Sequence, residues 1–191
     1  MIEIIKHTIT PIFTRPEILL HPNIPKALHG VNPRSIYGNG WWDKQRKESY
    51  SKNNYCCWAC GVHKTKAKYH NWLEAHEMYE YDFNNYTLTF NEVVALCHSC
   101  HGYIHSGRLM ILRDKNIISK KMYEDIIRHG TKIAKRINYD NENVQRLLNE
   151  YDTSNYIERW QEWRMIIDGE SYEPKFKTFN EWQDFYSTFD N

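Results

Sequence analysis

The sequence predicts an α+β fold: a small unit of two strands and a helix stapled by cysteines, with an extended N-terminal arm and helical C-terminal additions. Three observations predict it. Cys57-Trp-Ala-Cys60 and Cys97-His-Ser-Cys100 repeat one C-x-x-C spacing, with 36 residues between them. That interval holds two stretches with β-branched and aromatic residues, Asn71 to Tyr81 and Tyr86 to Phe90, separated by the turn signal Asn84-Asn85. The second cysteine pair then runs directly into His101-Gly-Tyr-Ile-His105, within a helix expected from Leu96 to Arg113.

The elements divide into three expected parts, 1–55, 56–113 and 114–191. In the first, Pro11, Pro16, Pro22, Pro25 and Pro33, with Gly30, Gly38 and Gly40, read as an extended arm. A short basic helix follows from Trp41 to Lys52. In the last part, Met122, Ile126, Ile127, Ile133, Ala134 and Ile137 predict one or two amphipathic helices interrupted at Gly130. A further helix is expected from Asn143 to Tyr151. The stretches Asn155 to Ile167 and Phe179 to Phe185 are rich in aromatics that pack back on the body.

Composition bounds the class. Hydrophobic residues make up 41% of the 191 and aromatics 15%, which belongs to a folded chain rather than a disordered one. No stretch approaches the roughly 18 consecutive apolar residues that a membrane span needs, and Met1 to Phe13 lacks the pattern of an export signal. A cytoplasmic protein without a membrane partner is expected. The formal net charge of +1 conceals an uneven distribution. Residues 34–70 carry eight Lys or Arg against Asp43 and Glu48, a net of +6, whereas 151–191 carry a net of −5. A basic stretch beside an acidic one suits nucleic acid held on one face; a solvated charge run is the plainer alternative. The acidic, Trp-rich C-terminal part could instead dock a partner protein.

Two C-x-x-C pairs in a chain with no export signal point to metal ligation rather than disulfides. Cys57, Cys60, Cys97 and Cys100 are therefore expected to hold a structural Zn²⁺ through four thiolates, leaving Cys56 as the spare. His101 and His105, four apart on a helix, share one face and can grip a single ion. Cys100 is about 100° away around the same helix and can face the zinc instead.

At Leu73-Glu74-Ala75-His76-Glu77 and at Leu96-Cys97-His98-Ser99-Cys100-His101-Gly102-Tyr103-Ile104-His105 the chain resembles the HNH branch of the ββα-metal, or His-Me finger, nucleases. In the cysteine-bearing members of that family a strand ending in Leu-Glu-x-His-His leads through a second strand into Leu-Cys-x-x-Cys-His-x-x-x-His. The resemblance covers about 50 of the 191 residues, from 57 to 108. It implies a zinc-stapled ββα-metal domain in which His76, His101 and His105 hold a catalytic divalent ion, Mg²⁺ or another. It also puts Glu77 where the family has the histidine that activates water. A carboxylate with an unperturbed pKa of about 4.3 is a weak base at neutral pH unless burial raises it, and His70 and His98 are the alternatives nearby. The family's intervening Asn has Asn91 or Glu92 as counterparts.

The implied activity is hydrolysis of phosphodiesters in nucleic acid, with DNA the expected substrate. Arg34, Lys44, Arg46, Lys47, Lys64, Lys66, Lys68 and Arg108 are the candidate phosphate contacts, positioning without reading sequence. Two other functions remain open. One is an HNH-like zinc module that has lost catalysis and binds nucleic acid or protein. The other is a purely structural zinc protein with incidental histidines.

Overall fold

The computed structural model describes residues 9–142, 144 and 159–188. Among them are five α-helices and a four-stranded sheet, a mixed α+β architecture. The helices are α1 (Pro33–Lys52), α2 (His98–Ile104), α3 (Ser106–Asp114), α4 (Lys120–Ala134) and α5 (Phe179–Ser187); the strands are β1 (Glu74–Asp82), β2 (Thr87–Leu96), β3 (Arg164–Ile167) and β4 (Glu170–Tyr172). Apart from Val144, the helix expected from Asn143 to Tyr151 lies outside the described residues. The chain forms two compact units. One gathers 9–20, Arg46–His76 and Val94–Ile137; the other gathers His21–Gln45, Glu77–Val93 and the described residues after 137.

In the first unit the N-terminal arm is pinned by one buried side chain. Asn53, 0% exposed, accepts from the backbone N–H of Ile12 and Phe13 at 2.8 and 3.1 Å and donates back to the Phe13 carbonyl at 3.1 Å. Proline-rich backbone lacks internal hydrogen bonds, so an amide side chain with both donor and acceptor is suited to satisfy it. The arm is also less extended than expected, because Pro16–Leu20 winds into a 3₁₀ turn that buries Ile18 and Leu19.

Helix α2 packs against α4, which is preceded by Ser119, whose side chain caps the Met122 N–H at 3.1 Å. Contrary to the expected interruption, α4 runs unbroken through Gly130. The glycine serves packing instead of ending the helix: a Cβ built there would lie 2.0 Å from the Tyr103 ring. Gly130→Ala should gain about 1 kcal/mol of helix propensity. It should lose about 1–3 kcal/mol to overpacking, so the melting temperature should fall. A melt at or above the wild-type temperature would remove the close-approach explanation.

In the second unit α1 begins at Pro33, eight residues before the expected Trp41, and is kinked at Gly38, where φ is 81°. The start follows from local chemistry. Asn32 accepts the Ser35 N–H at 2.9 Å, with Pro33 at the first helical position, where its missing N–H costs nothing.

The two expected strands are present with shifted bounds: β1 begins at Glu74, three residues after the expected Asn71, and β2 continues beyond Phe90 to Leu96. Residues 83–86 form the turn between them, held by Asp82, whose carboxylate accepts from the N–H groups of Asn84 and Asn85 at 3.0 Å each. The C-terminal part is not solely helical. β3 pairs parallel with β2, Leu88 opposite Met165, and β4 returns antiparallel with Ile167 opposite Glu170. Asp168-Gly169 makes that reversal, with φ of 51° and 83°, the paired positive values of a two-residue hairpin turn. The core of this unit comprises Ala27, Leu28, Tyr79, Tyr81, Leu88, Trp163, Met165 and Ile167, so that Trp163, within the aromatic stretch expected to pack back on the body, lies inside. α5 is capped by Thr178 and lies against residues 26–28, with the Trp182 indole N–H bonded to His29 Nδ1 at 3.0 Å.

Candidate metal centres

The first cysteine knuckle is built around a buried tryptophan. Trp58, 1% exposed, donates its indole N–H to the Ser49 carbonyl at 3.0 Å and its backbone N–H to Ala95 at 2.8 Å. Its carbonyl accepts from Arg15 N at 2.7 Å. The bond to Ala95 fixes Cys57 and Cys60 beside the end of β2, two residues before Cys97. The knuckle closes at Gly61, whose φ of 81° favours glycine and whose N–H returns to the Cys57 carbonyl at 2.9 Å.

The four sulfurs of Cys57, Cys60, Cys97 and Cys100 all lie within 4.8 Å of one another, and none is in a disulfide. Cys60 and Cys97 are 3.7 Å apart; a tetrahedral ion with Zn–S bonds of about 2.3 Å requires roughly 3.8 Å. The donor set therefore fits a zinc ion. Burial opposes ionisation of Cys57, but hydrogen bonds from Cys100, Cys60 and Cys97 hold its thiol well below the ordinary range. Cys100, donating towards that thiolate, is pushed up in turn. Cys56 is fully buried but outside the cluster, with its sulfur 3.6 Å from the Asn54 carbonyl.

His76, His101 and His105 form a second group, each offering a nitrogen within 4.8 Å of the others. His76 is buried on β1. His101 lies inside α2, and His105 at the junction of α2 and α3. The helical register survives that junction, because the His105 N–H still bonds to the His101 carbonyl at 3.2 Å. The three rings are mutually edge-on, with centroids 5.4, 5.1 and 4.7 Å apart. Burial, followed by the proximity of His101 and Arg108, pushes the His105 pKa down to about 4. It is therefore neutral at pH 7, the form that ligates metals.

Glu74, on the same face of β1 as His76, orients this group. Its Oε2 pairs with His101 Nδ1, leaving Nε2 of that ring as the free ligand atom, and its Oε1 accepts from His98 Nδ1 at 2.7 Å. Burial works against its ionisation, but the bonds to His101 and His98 outweigh that and hold the carboxyl far below its usual range. Sequence reasoning quoted Glu74 within the motif without giving it a role; its i, i+2 relation to His76 on a strand was the available signal. His129, with Nε2 3.4 Å from Cys100 Sγ, was also missed, and nothing local in the sequence marks it.

Among the described residues Glu77 belongs to none of the clusters that could hold a metal ion. Its carboxylate accepts from the Tyr79 hydroxyl at 3.1 Å. Burial raises its pKa, while the Tyr79 hydrogen bond and the Arg34 charge act in the opposite sense. Asn91 and Glu92 lie within β2. Of the candidate phosphate contacts, Arg46, Lys47, Lys64, Lys66, Lys68 and Arg108 belong to the first unit, and Arg34 and Lys44 to the second. Lys68 pairs with Asp125 at 2.6 Å, and Lys64 sits over the Tyr55 ring at 4.4 Å.

Comparison with family models, with curated proteins and with solved structures finds no match. Among the described residues no helix is long and apolar enough to cross a membrane.

Proposed function

We propose that the chain is a metal-dependent endonuclease of the HNH type, hydrolysing phosphodiester bonds in nucleic acid, with DNA as the first substrate to test. The observation carrying this reading is the convergence of His76, His101 and His105 on one point, with the Glu74 carboxylate fixing the His101 ring. A carboxylate on the far nitrogen of a ligating imidazole is a recurrent means of setting its tautomer and raising its basicity. A divalent ion, when bound, would neutralise charge at the scissile phosphate and on the leaving oxygen. Arg108 on α3 adds positive charge beside His105. The thiolate cluster keeps its structural role, because four cysteine ligands leave no position open for substrate.

Plasmid DNA incubated with the full chain and Mg²⁺ or Mn²⁺ should be nicked or linearised, and EDTA should stop it. No cleavage with any divalent ion would refute the activity.

Glu77 follows His76 directly and occupies the position of the family's base. The rise in its pKa on burial moves it towards the range where a carboxylate can take a proton from water near neutral pH. In a regular strand, however, its side chain points to the face opposite His76. Glu77→Gln should cut the rate by about 10²–10⁴-fold with metal binding intact, and Glu77→His should retain activity. A rate unchanged in Glu77→Gln would transfer the role to His70 or His98. The engagement of Glu77 by Tyr79 also favours a second reading, a module that binds nucleic acid or protein without cutting. In that case wild type is inert with every metal, and Glu77→His is the variant that restores cleavage.

A further inference from the structure

Glu74 divides its two carboxylate oxygens between two sets of histidines. Oε2 serves His101 of the three-histidine group, while Oε1 serves His98, which together with His70 and Glu74 forms another cluster of ligand atoms within 4.8 Å. The three come from separate elements: His70 from the loop ahead of β1, Glu74 from the first residue of β1, and His98 from the first residue of α2.

The His70 ring is held in place. It stacks on Trp72 at 4.2 Å with 15° between planes, and meets His98 edge-on at 4.4 Å. The side chains of Glu74 and His98 are 23% and 21% exposed, so an ion from solvent can reach them. A hydrogen-bonded cluster alone would account for the Glu74–His98 pair. It does not account for a third imidazole, stacked and turned edge-on to His98, with a nitrogen within ligand range of both.

We infer that His70, Glu74 and His98 form a second divalent-metal site, linked to the His76–His101–His105 site through the Glu74–His101 hydrogen bond. Two imidazoles and a carboxylate suit a first-row transition ion such as Mn²⁺, Fe²⁺ or Zn²⁺ better than Mg²⁺, which prefers oxygen ligands. The His101 ring stands between Glu74 and the ion of the three-histidine site, so the two ions would share no ligand. The inference rests on the proposed three-histidine site as its neighbour, but not on the chain being a nuclease.

The test is a Mn²⁺ titration of the full chain without nucleic acid, with zinc at the cysteine cluster counted separately and free Mn²⁺ followed by electron paramagnetic resonance. Wild type should bind two Mn²⁺. His70→Ala, a change outside every helix and strand, should weaken one of them by more than tenfold, and His70→Ala/His98→Ala should bind one fewer. Retention of both ions by the double variant, or saturation of wild type at a single ion that His105→Ala removes, would overturn the inference. A single ion lost in His70→Ala but kept in His105→Ala would instead support this site and refute the three-histidine one.

Discussion

Cys57→Ala or Cys100→Ala should unfold the first unit. Both sulfurs are buried in the four-thiol cluster, and Cys100 lies in the helix that carries His101. A four-cysteine zinc site contributes on the order of 10 kcal/mol to small domains, comparable with the entire net stability of a typical domain, about 5–15 kcal/mol. The variants should lose zinc together with much of the helical far-UV signal. Adding a chelator to wild type should reproduce the effect without mutation. Either variant keeping its zinc and its wild-type melt would remove the structural role assigned to the cluster.

His101→Ala and His105→Ala should behave in the opposite way. Both side chains are partly exposed and neither supplies a sulfur to the cysteine cluster, so fold and zinc content should survive. The exchangeable ion should be lost. Cleavage should fall by about 10³-fold or more, since metal stabilisation of transition-state charge is worth several kcal/mol and each 1.36 kcal/mol is tenfold in rate. The decisive comparison is kinetic, with circular dichroism and zinc content measured on the same samples. Wild-type rates in both variants would rule out the three-histidine group as the catalytic centre.

What could be read in the sequence was local. The C-x-x-C pairs announced the thiol cluster because four soft ligands at fixed spacing have few other uses, and the turn at Asn84-Asn85 was visible because its chemistry sits in adjacent residues. His101 and His105 were readable through helical spacing, while His76 came only from the family resemblance. The elements that were missed depend on distant partners or on a signal given too little weight. Asp168-Gly169, between Met165-Ile166-Ile167 and Tyr172, is a strong hairpin signature, but the neighbouring tryptophans drew attention to packing instead of to strand pairing. Gly130 looked like a helix breaker because the reason for it, the Tyr103 ring, is 27 positions away in the chain. The double role of Glu74 required knowing that the start of β1 and the start of α2 meet.

The backbone bond between Trp58 and Ala95 bears on the order in which the molecule assembles. Capturing zinc with an unfolded chain would require closing a loop of 36 residues on the ion alone, an entropic cost that no contact offsets until the last ligand binds. A hairpin removes that search: it zips outward from residues 83–86 in about 1–10 μs and brings the end of β2 back to the start of β1. The Trp58–Ala95 bond then ties the first knuckle to the end of β2, which shortens the loop that the ion has to close. A slip of one residue in strand register would turn the side chains of β2 to the opposite face and leave the two knuckles out of step. The fidelity of metal capture thus depends on strand register set from the turn at residues 83–86, away in sequence from every sulfur.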